Sequence, residues 1–425
     1  MSTTELKTRE NRWTMIAFDR ALALVEDTVH PLPTEILPLG EASGRVLAED
    51  VRADEDAVPY ARSAMDGYAV RAVDTKDATT EHPLNLQVTG SVFTEAGESS
   101  LLCAAALGIS TGAPIPHGAD AVIPIEQTQR SDHQIRVSRP VSTGDCIFPP
   151  AEDVRRGDLL ASRGDVLRPA TIGLFAFTGK AQVLVFRRPR VALLCTGSEL
   201  VEVTATPRHG QVRNSNAFAF ASLIAECGGE LIFNLTVADQ YEVLRDQLRS
   251  AREGADLLVT TGGASVGERD LVKNVLAEQG ANFHFGAVAI RPGKPIGFAI
   301  WNGVPVCVLP GNPAAAFVGF YEFVRPALLR LAGRRTISLP VLRARLRAPV
   351  KSKAGRKYIL FAQLVLTESG FEVTPLPNQC SVLVRSAADA NALILLPEGP
   401  ASFNAGDFVE VQAFGWDPWQ AKSQC

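Results

Sequence analysis

Between residues 188 and 335 short apolar runs alternate with amphipathic stretches, and no other feature of this sequence constrains the fold as tightly. The runs VALLC (191–195), ELIFNLTV (230–237), ADLLVT (255–260) and VPVCVLP (304–310) have the length and β-branched content of buried strands. After the first comes a stretch with Phe220, Leu223, Ile224 and Cys227 on one helical face, and after the second one with Tyr241, Leu244, Leu248 and Ala251. GERDLVKNVLAEQG follows the third run, and after the fourth Asn312 stands at an N-cap with Pro313 at the first helical position. Strand–helix alternation at this spacing predicts a doubly wound, parallel α/β domain.

The remaining chain reads differently. At 425 residues it exceeds one ordinary core, so about two to four domains are expected. Phe18, Leu22, Val25 and Val29 mark a helix ended by His30-Pro31, which opens a mixed N-terminal domain over 13–54. Residues 55–150 consist of short runs cut by turns, the texture of a β-rich insertion, and 151–187 return to mixed segments as the second part of the N-terminal domain. The α/β domain takes 188–335 and a small β domain 336–415.

Composition excludes several functions. Apolar residues at 46% and charged residues at 21% suit a soluble globular protein, and a net charge of −4 offers no basic footprint for nucleic acid. The seven cysteines form no C-x-x-C pair, which argues against a disulfide framework and suits a reducing cytosol. The six histidines show no metal-ligand spacing, no G-x-S-x-G elbow is present, and neither a secretory signal nor a membrane helix is apparent.

Ligands of doubly wound sheets bind at the carboxyl ends of the strands. There this chain would place TGSEL (196–200), VADQ (237–240), TTGGASVGERD (260–270) and PGNP (310–313), with RPGKP (291–295) nearby. Gly197, Gly262, Gly263, Gly267 and Gly311 open backbone N–H donors, Thr196 and Ser265 add hydroxyls, and Arg291 and Lys294 add cations. Gly262 and Gly267 have the glycine spacing of a P-loop, yet Glu268 and Arg269 stand where it needs Lys and Ser/Thr, with Asp270 next. Acids at the mouth of an anion cradle become intelligible if a hard cation lies between them. The plain alternative is that each glycine loop is a tight connection and each acid a first-turn helix charge; for SAMDGYAV (63–70) it is a simple Asp66-Gly67 turn between strands.

In order and spacing, SGRVLAEDV, SAMDGYAV, TGAPIPHGADAVIPIE, EDVRRGD, TGSEL, GQVRNSN, TTGGASVGERDLVK, RPGKP and LPGNP resemble the molybdopterin molybdenumtransferase family, which comprises bacterial MoeA and the E domain of gephyrin. The resemblance spans about residues 13–412. It implies four domains, a cytoplasmic homodimer with a shared cleft, and insertion of molybdate into adenylylated molybdopterin with release of AMP and help from Mg²⁺. It also implies dealings with the molybdopterin adenylyltransferase and with recipient molybdoenzymes.

Matched residue by residue, the family's functional positions fall on Asp66, Thr111, Asp153, Glu199, Asp239 and Asp270, with Glu199, Asp239 and Asp270 as the implied metal ligands. They also fall on Arg291, Lys294, Pro310 and Pro313, and the implied substrate-binding set adds Thr196, Gly197, Gly262, Gly263, Ser265, Gly267, Gly311 and Asn312. The chain departs from the family's pattern at Ala61 and Gln240, where acids are expected, and at Ala151, where glycine is. Two rival readings are a molybdopterin adenylyltransferase, which would need only the α/β part, and a non-catalytic scaffold of the gephyrin type.

Overall fold

The computed structural model describes residues 13, 15–94, 99–263 and 271–415. Its central sheet is built from β1 (Arg190–Thr196), β2 (Glu230–Val237), β3 (Leu257–Thr261), β4 (Asn282–Phe285), β5 (Gly297–Trp301) and β6 (Val304–Leu309), in the order β2-β1-β3-β6-β5-β4. The first four in that order run parallel, whereas β5 and β4 add an antiparallel edge. That edge is new relative to the sequence pattern, and its cause is local. Asn302 and Gly303 both hold positive φ, 49° and 83°, between Trp301 and its partner Val304. This two-residue turn reverses the chain instead of sending it through a crossover helix.

Helices cover both faces of the sheet. Along β1, Val191, Leu193 and Cys195 point to one core, and Ala192 and Leu194 to the other. The first core is closed by α1 (Phe18–Thr28), α2 (Ser215–Glu226) and α5 (Pro313–Gly319) through Val25, Phe220 and Ala316. The second is closed by α3 (Tyr241–Arg252) and α4 (Leu271–Glu278) through Leu244, Leu248, Val272 and Val275. A strand buried on both sides must be apolar at every position, which is why VALLC shows no alternation. Although α1 opens the chain, its buried face packs into the α/β core beside Phe323 and Leu328.

Flanking this domain are three β-rich regions. Residues on either side of the insertion pair with one another, Thr34–Pro38 with Gln182–Phe186 and Val51–Arg52 with Leu159–Ala161, around a core of Leu47, Leu167 and Phe175. The insertion holds a six-stranded sheet in which Gly67–Val70 lies between Ala121–Pro124 and Ala105–Ile109, with apolar clusters on both faces. At the C-terminal end β7 (Val341–Leu346), β8 (Lys357–Thr367), β9 (Gly370–Pro375), β10 (Ala392–Leu396) and β11 (Phe408–Ala413) close a barrel, because β8 pairs with both β9 and β10. Among the described residues no helix is long and apolar enough to cross a membrane.

Ala151, where the family's pattern has glycine, holds φ +55° and is buried. A Cβ in the left-handed region costs about 1 kcal/mol, part of which glycine's greater unfolded-state freedom offsets. Ala151→Gly is therefore expected to raise stability by about 0.5 kcal/mol, read as a small upward shift of the melting temperature. A lower melting temperature would refute the strain at this turn.

Candidate active site

The sheet order makes one crevice unavoidable. From β1 the chain crosses to β2 on one side, and from there to β3 on the other, so the loops leaving β1 and β3 diverge. Between them lie Thr196-Gly197 and Gly262-Gly263, with Pro310-Gly311 beyond β6. Gly262 has φ +92°, and a Cβ built on it would stand 2.0 Å from the Thr196 carbonyl oxygen. A Cβ on Gly263, φ +59°, would stand 2.5 Å from a Val272 methyl and 3.0 Å from Thr196 Oγ1. Only glycine lets the β3 loop lie this closely on the end of β1. The Gly262 N–H also donates to the Leu309 carbonyl at 3.2 Å, which ties the same loop to β6.

Side chains complete the floor. Asn216 donates through Nδ2 to the Gly311 carbonyl at 3.0 Å and reaches Thr261 Oγ1 at 3.4 Å. Asn214 caps α2 by accepting from the Ala217 N–H at 3.1 Å and donates to Thr236 Oγ1 at 2.8 Å. Neither asparagine stood among the expected site residues. The signal was N-S-N at the start of a helix that begins within reach of three strand ends. Thr196 Oγ1 and Asn216 Oδ1 are buried without a hydrogen-bond partner among the described residues. Buried polar atoms without partners are rare, and at a strand-end crevice they point to a ligand or bound water.

The acids and cations fall into groups. Glu199 is exposed, and its carboxylate folds over Gly197, whose hypothetical Cβ would lie 2.8 Å from Oε2. Asp239 is also exposed, and its N–H donates to Ser198 Oγ at 3.2 Å, so the two acids sit on neighbouring, mutually bonded loops. Lys294 is half-buried and makes no ion pair or hydrogen bond through its ammonium with the described residues; its carbonyl accepts from Val288 at 2.9 Å. Arg291 turns toward the barrel. Its Nη1 donates to the Tyr358 hydroxyl at 3.3 Å and its guanidinium lies 5.3 Å from that ring's centre. This hydrogen bond holds the Tyr358 phenol below its usual range. Asn312 occupies the N-cap of α5 without a side-chain capping bond, and Pro313 follows at N1. Ser265, Gly267, Glu268 and Asp270 lie outside the described residues.

A second group lies on the insertion. Asp66 Oδ1 accepts from the Thr111 N–H at 2.7 Å and from its hydroxyl at 3.0 Å. These bonds, the backbone one foremost, hold the Asp66 carboxyl below the ordinary range. SAMDGYAV is thus not a hairpin turn, since Gly67–Val70 pairs with strands far along the chain. Asp153 is exposed on a turn after Ala151. Among the described residues, no hydrogen bond or ion pair joins Asp66, Thr111 or Asp153 to the α/β cradle, and no group of three or more His, Cys, Asp or Glu is placed to hold a metal.

Three family models match in sequence order: the MoeA N-terminal region (domains I and II) over residues 16–179, a probable molybdopterin binding domain over 192–330, and the MoeA C-terminal region (domain IV) over 343–414. The chain is 34% identical over 404 residues to the molybdopterin molybdenumtransferase of Haemophilus influenzae, covering 94% of this chain and 99% of that one. It is 31% identical over 397 residues to the enzyme of that name from Staphylococcus aureus, covering 93% and 95%. A crystal structure of the molybdopterin biosynthesis MoeA protein from Pyrococcus horikoshii superposes with a TM-score of 0.80 at 34% identity, over 95% of this chain and all of that one.

Proposed function

The chain belongs to the molybdopterin molybdenumtransferase family, a transferase family of molybdenum cofactor biosynthesis, and from that premise we propose that it inserts molybdate into adenylylated molybdopterin and releases AMP. The observation that carries this reading is the cradle itself. Glycine-opened loops converge at the switch point, with the orphaned Thr196 hydroxyl in the floor, and Lys294 follows Gly293, which packs against α5 near the Ala315 carbonyl. The Gly197 and Gly262 N–H groups are used within the fold, so what suits the substrate's phosphate is the Thr196 hydroxyl, a donor waiting for an acceptor, together with a cation.

Mg²⁺ fits the donor chemistry. Glu199 and Asp239 are oxygen donors with no cation partner among the described residues. Two carboxylates are too few for a closed protein cage, but Mg²⁺ is commonly held by one or two carboxylates together with substrate phosphate. When bound there it would supply charge to a phosphoryl oxygen as the bond to the adenylyl group breaks. The protein's own part is to hold the pterin phosphate on the cradle, to place Lys294 against negative charge, and to exclude water. Asp270 enters this reading through the family's motif alone.

Asp66, Thr111 and Asp153 find their use if the protein works as a homodimer whose cleft is closed by the insertion of a second copy. In support of this reading, the hydrogen-bonded Asp66 stands exposed with no cationic partner among the described residues. Asp66→Asn and Asp239→Asn should each lower AMP release from adenylylated molybdopterin with molybdate and Mg²⁺ by about tenfold to a thousandfold. Mixed and re-equilibrated, the two variants should recover about a quarter of wild-type turnover, because half of the dimers then hold one intact site. A mixture no more active than its parts would put both residues in one chain's site and sink the shared cleft. Wild-type turnover in either variant would remove that residue from the reaction.

A further inference from the structure

On the opposite edge of the sheet from the cradle, about 20 Å away along β1, lies a narrow crevice open to solvent. It opens between Gly44–Val46 of the N-terminal domain, the segment Phe186–Pro189 leading into β1, the end of α2 at Cys227-Gly228, and Ala332 and Arg334 after the last helix of the α/β domain. Four of its lining residues are arginines.

Their charges are not equally satisfied. Arg187 grips Asp256 with two bonds of 2.8 and 2.7 Å, and Arg45 is bonded to Glu35 and to the Phe186 carbonyl. Both are neutralised within the fold. Arg334 is not. It is half-buried, its Nε is shielded from water without a hydrogen-bond partner, and it has no ion pair among the described residues. Arg188 stands exposed at the mouth, also without an acid. Burial makes the charged form of Arg334 costly, against the opposing pull of Cys227 and with a smaller push from the neighbouring Arg325. Nor does the lining supply an anion, because burial pushes the Cys227 thiol up to about 11. Only the Nε of Arg334 is cut off from water, and an anion at the open side of its guanidinium would supply the counter-charge that the described residues do not.

We propose that this crevice binds a small, doubly charged tetrahedral oxyanion of the phosphate or sulfate class, held by Arg334 and Arg188. The guanidinium fork matches two oxygens of such an ion, which would sit at the open mouth between the two side chains. Because its walls come from the N-terminal domain, from the start of β1 and from the end of the α/β domain, the ion pins three segments together. Binding should therefore stiffen the junction between the two domains.

Titration calorimetry of the full chain with inorganic phosphate, at ionic strength fixed with sodium chloride, tests this. The expected result is saturable binding together with a rise in melting temperature that chloride alone does not give. Arg334→Met should weaken this binding at least tenfold and abolish the rise. In phosphate-free buffer that variant should melt no lower than wild type, since it loses an unpaired charge. Arg334→Lys, which keeps charge without the fork, should fall between the two. Lys294→Met, at the cradle, should leave the Arg334-dependent binding intact, which separates this site from the proposed substrate site. AMP, too large for the crevice, should not displace the ion. Displacement by AMP, phosphate binding unchanged in Arg334→Met, or no binding by wild type would overturn the assignment and leave the arginines as counter-charges to helix carboxyl ends.

Discussion

Gly262→Ala is expected to lower AMP release by more than a hundredfold and to cost about 3 kcal/mol or more in stability. A methyl at position 262 would need the space of the Thr196 carbonyl, 2.0 Å away, and no rotamer relieves a Cβ against backbone. The β1 end cannot retreat, because Thr196 pairs with Val237, and Cys195 before it with both Thr236 and Thr261. Nor can the Gly262 loop, which is held to Leu309 and lies against Gly311. The chain would have to break one of these links, and each is part of the cradle floor. Gly280 provides the control. It has a similar φ of +85°, but nothing lies within 4 Å of its hypothetical Cβ, so Gly280→Ala should cost only the left-handed backbone penalty of about 1 kcal/mol and leave turnover intact. Thermal melting and AMP release measured on both variants decide the matter. Equal losses would mean that φ alone matters and that the loops are not packed as described.

What could be read in advance was what short-range patterning encodes. Buried strands of a two-faced sheet show as unbroken apolar runs, and the covering helices show as faces such as Phe220, Leu223 and Ile224, all of which are buried. The antiparallel edge was not read in advance: its signal is the two-residue turn at Asn302-Gly303, and a run such as VPVCVLP looks the same whichever way its neighbour runs. Closure of the C-terminal barrel was not legible. It depends on the eleven-residue β8 being long enough to bond β9 at one end and β10 at the other, which is a property of three strands together. At the site, glycine loops and acids were readable because their spacing is local. The role of Asn216 was not, since its partner Gly311 is 95 positions away. The arginine crevice is the extreme case: Arg45, Arg188 and Arg334 share no local pattern, and the difference between a paired and an unpaired arginine exists only once Asp256 and Glu35 have chosen partners.

Raising the pH from about 5 to 8 is expected to destabilise the protein through Glu322, the second large effect the structure carries. Glu322 sits in a π-helical turn, Phe320–Val324, and is 3% exposed. Its surroundings are Gln412 of β11, Lys357 of β8 and Arg325 on its own helix, so it lies at the junction of the α/β domain and the barrel. Neither Glu322 Oε1 nor Gln412 Oε1 has a hydrogen-bond partner among the described residues. The Gln412 amide hydrogen-bonds to the Glu322 carboxyl, but Glu322 Oε1 is left without a donor in an almost fully buried site. Burial accordingly lifts the carboxyl from about 4.5 to about 7, against the opposing pull of Gln412, Lys357 and Arg325. Because the folded value is the higher one, the folded state binds more protons between these limits. The contribution is fully present below about 4.5 and is lost as pH rises through about 7. A shift of that size corresponds to about 3 kcal/mol. Glu322→Gln removes the titration and keeps the shape, with a carbonyl oxygen that can still accept from Gln412. Calorimetric melting should therefore show the variant above wild type at pH 8, with the gap narrowing toward pH 5. A wild-type profile that stays parallel to that of Glu322→Gln across this range would mean that Glu322 remains ionised in the folded state and that its charge is satisfied by Lys357 and Arg325.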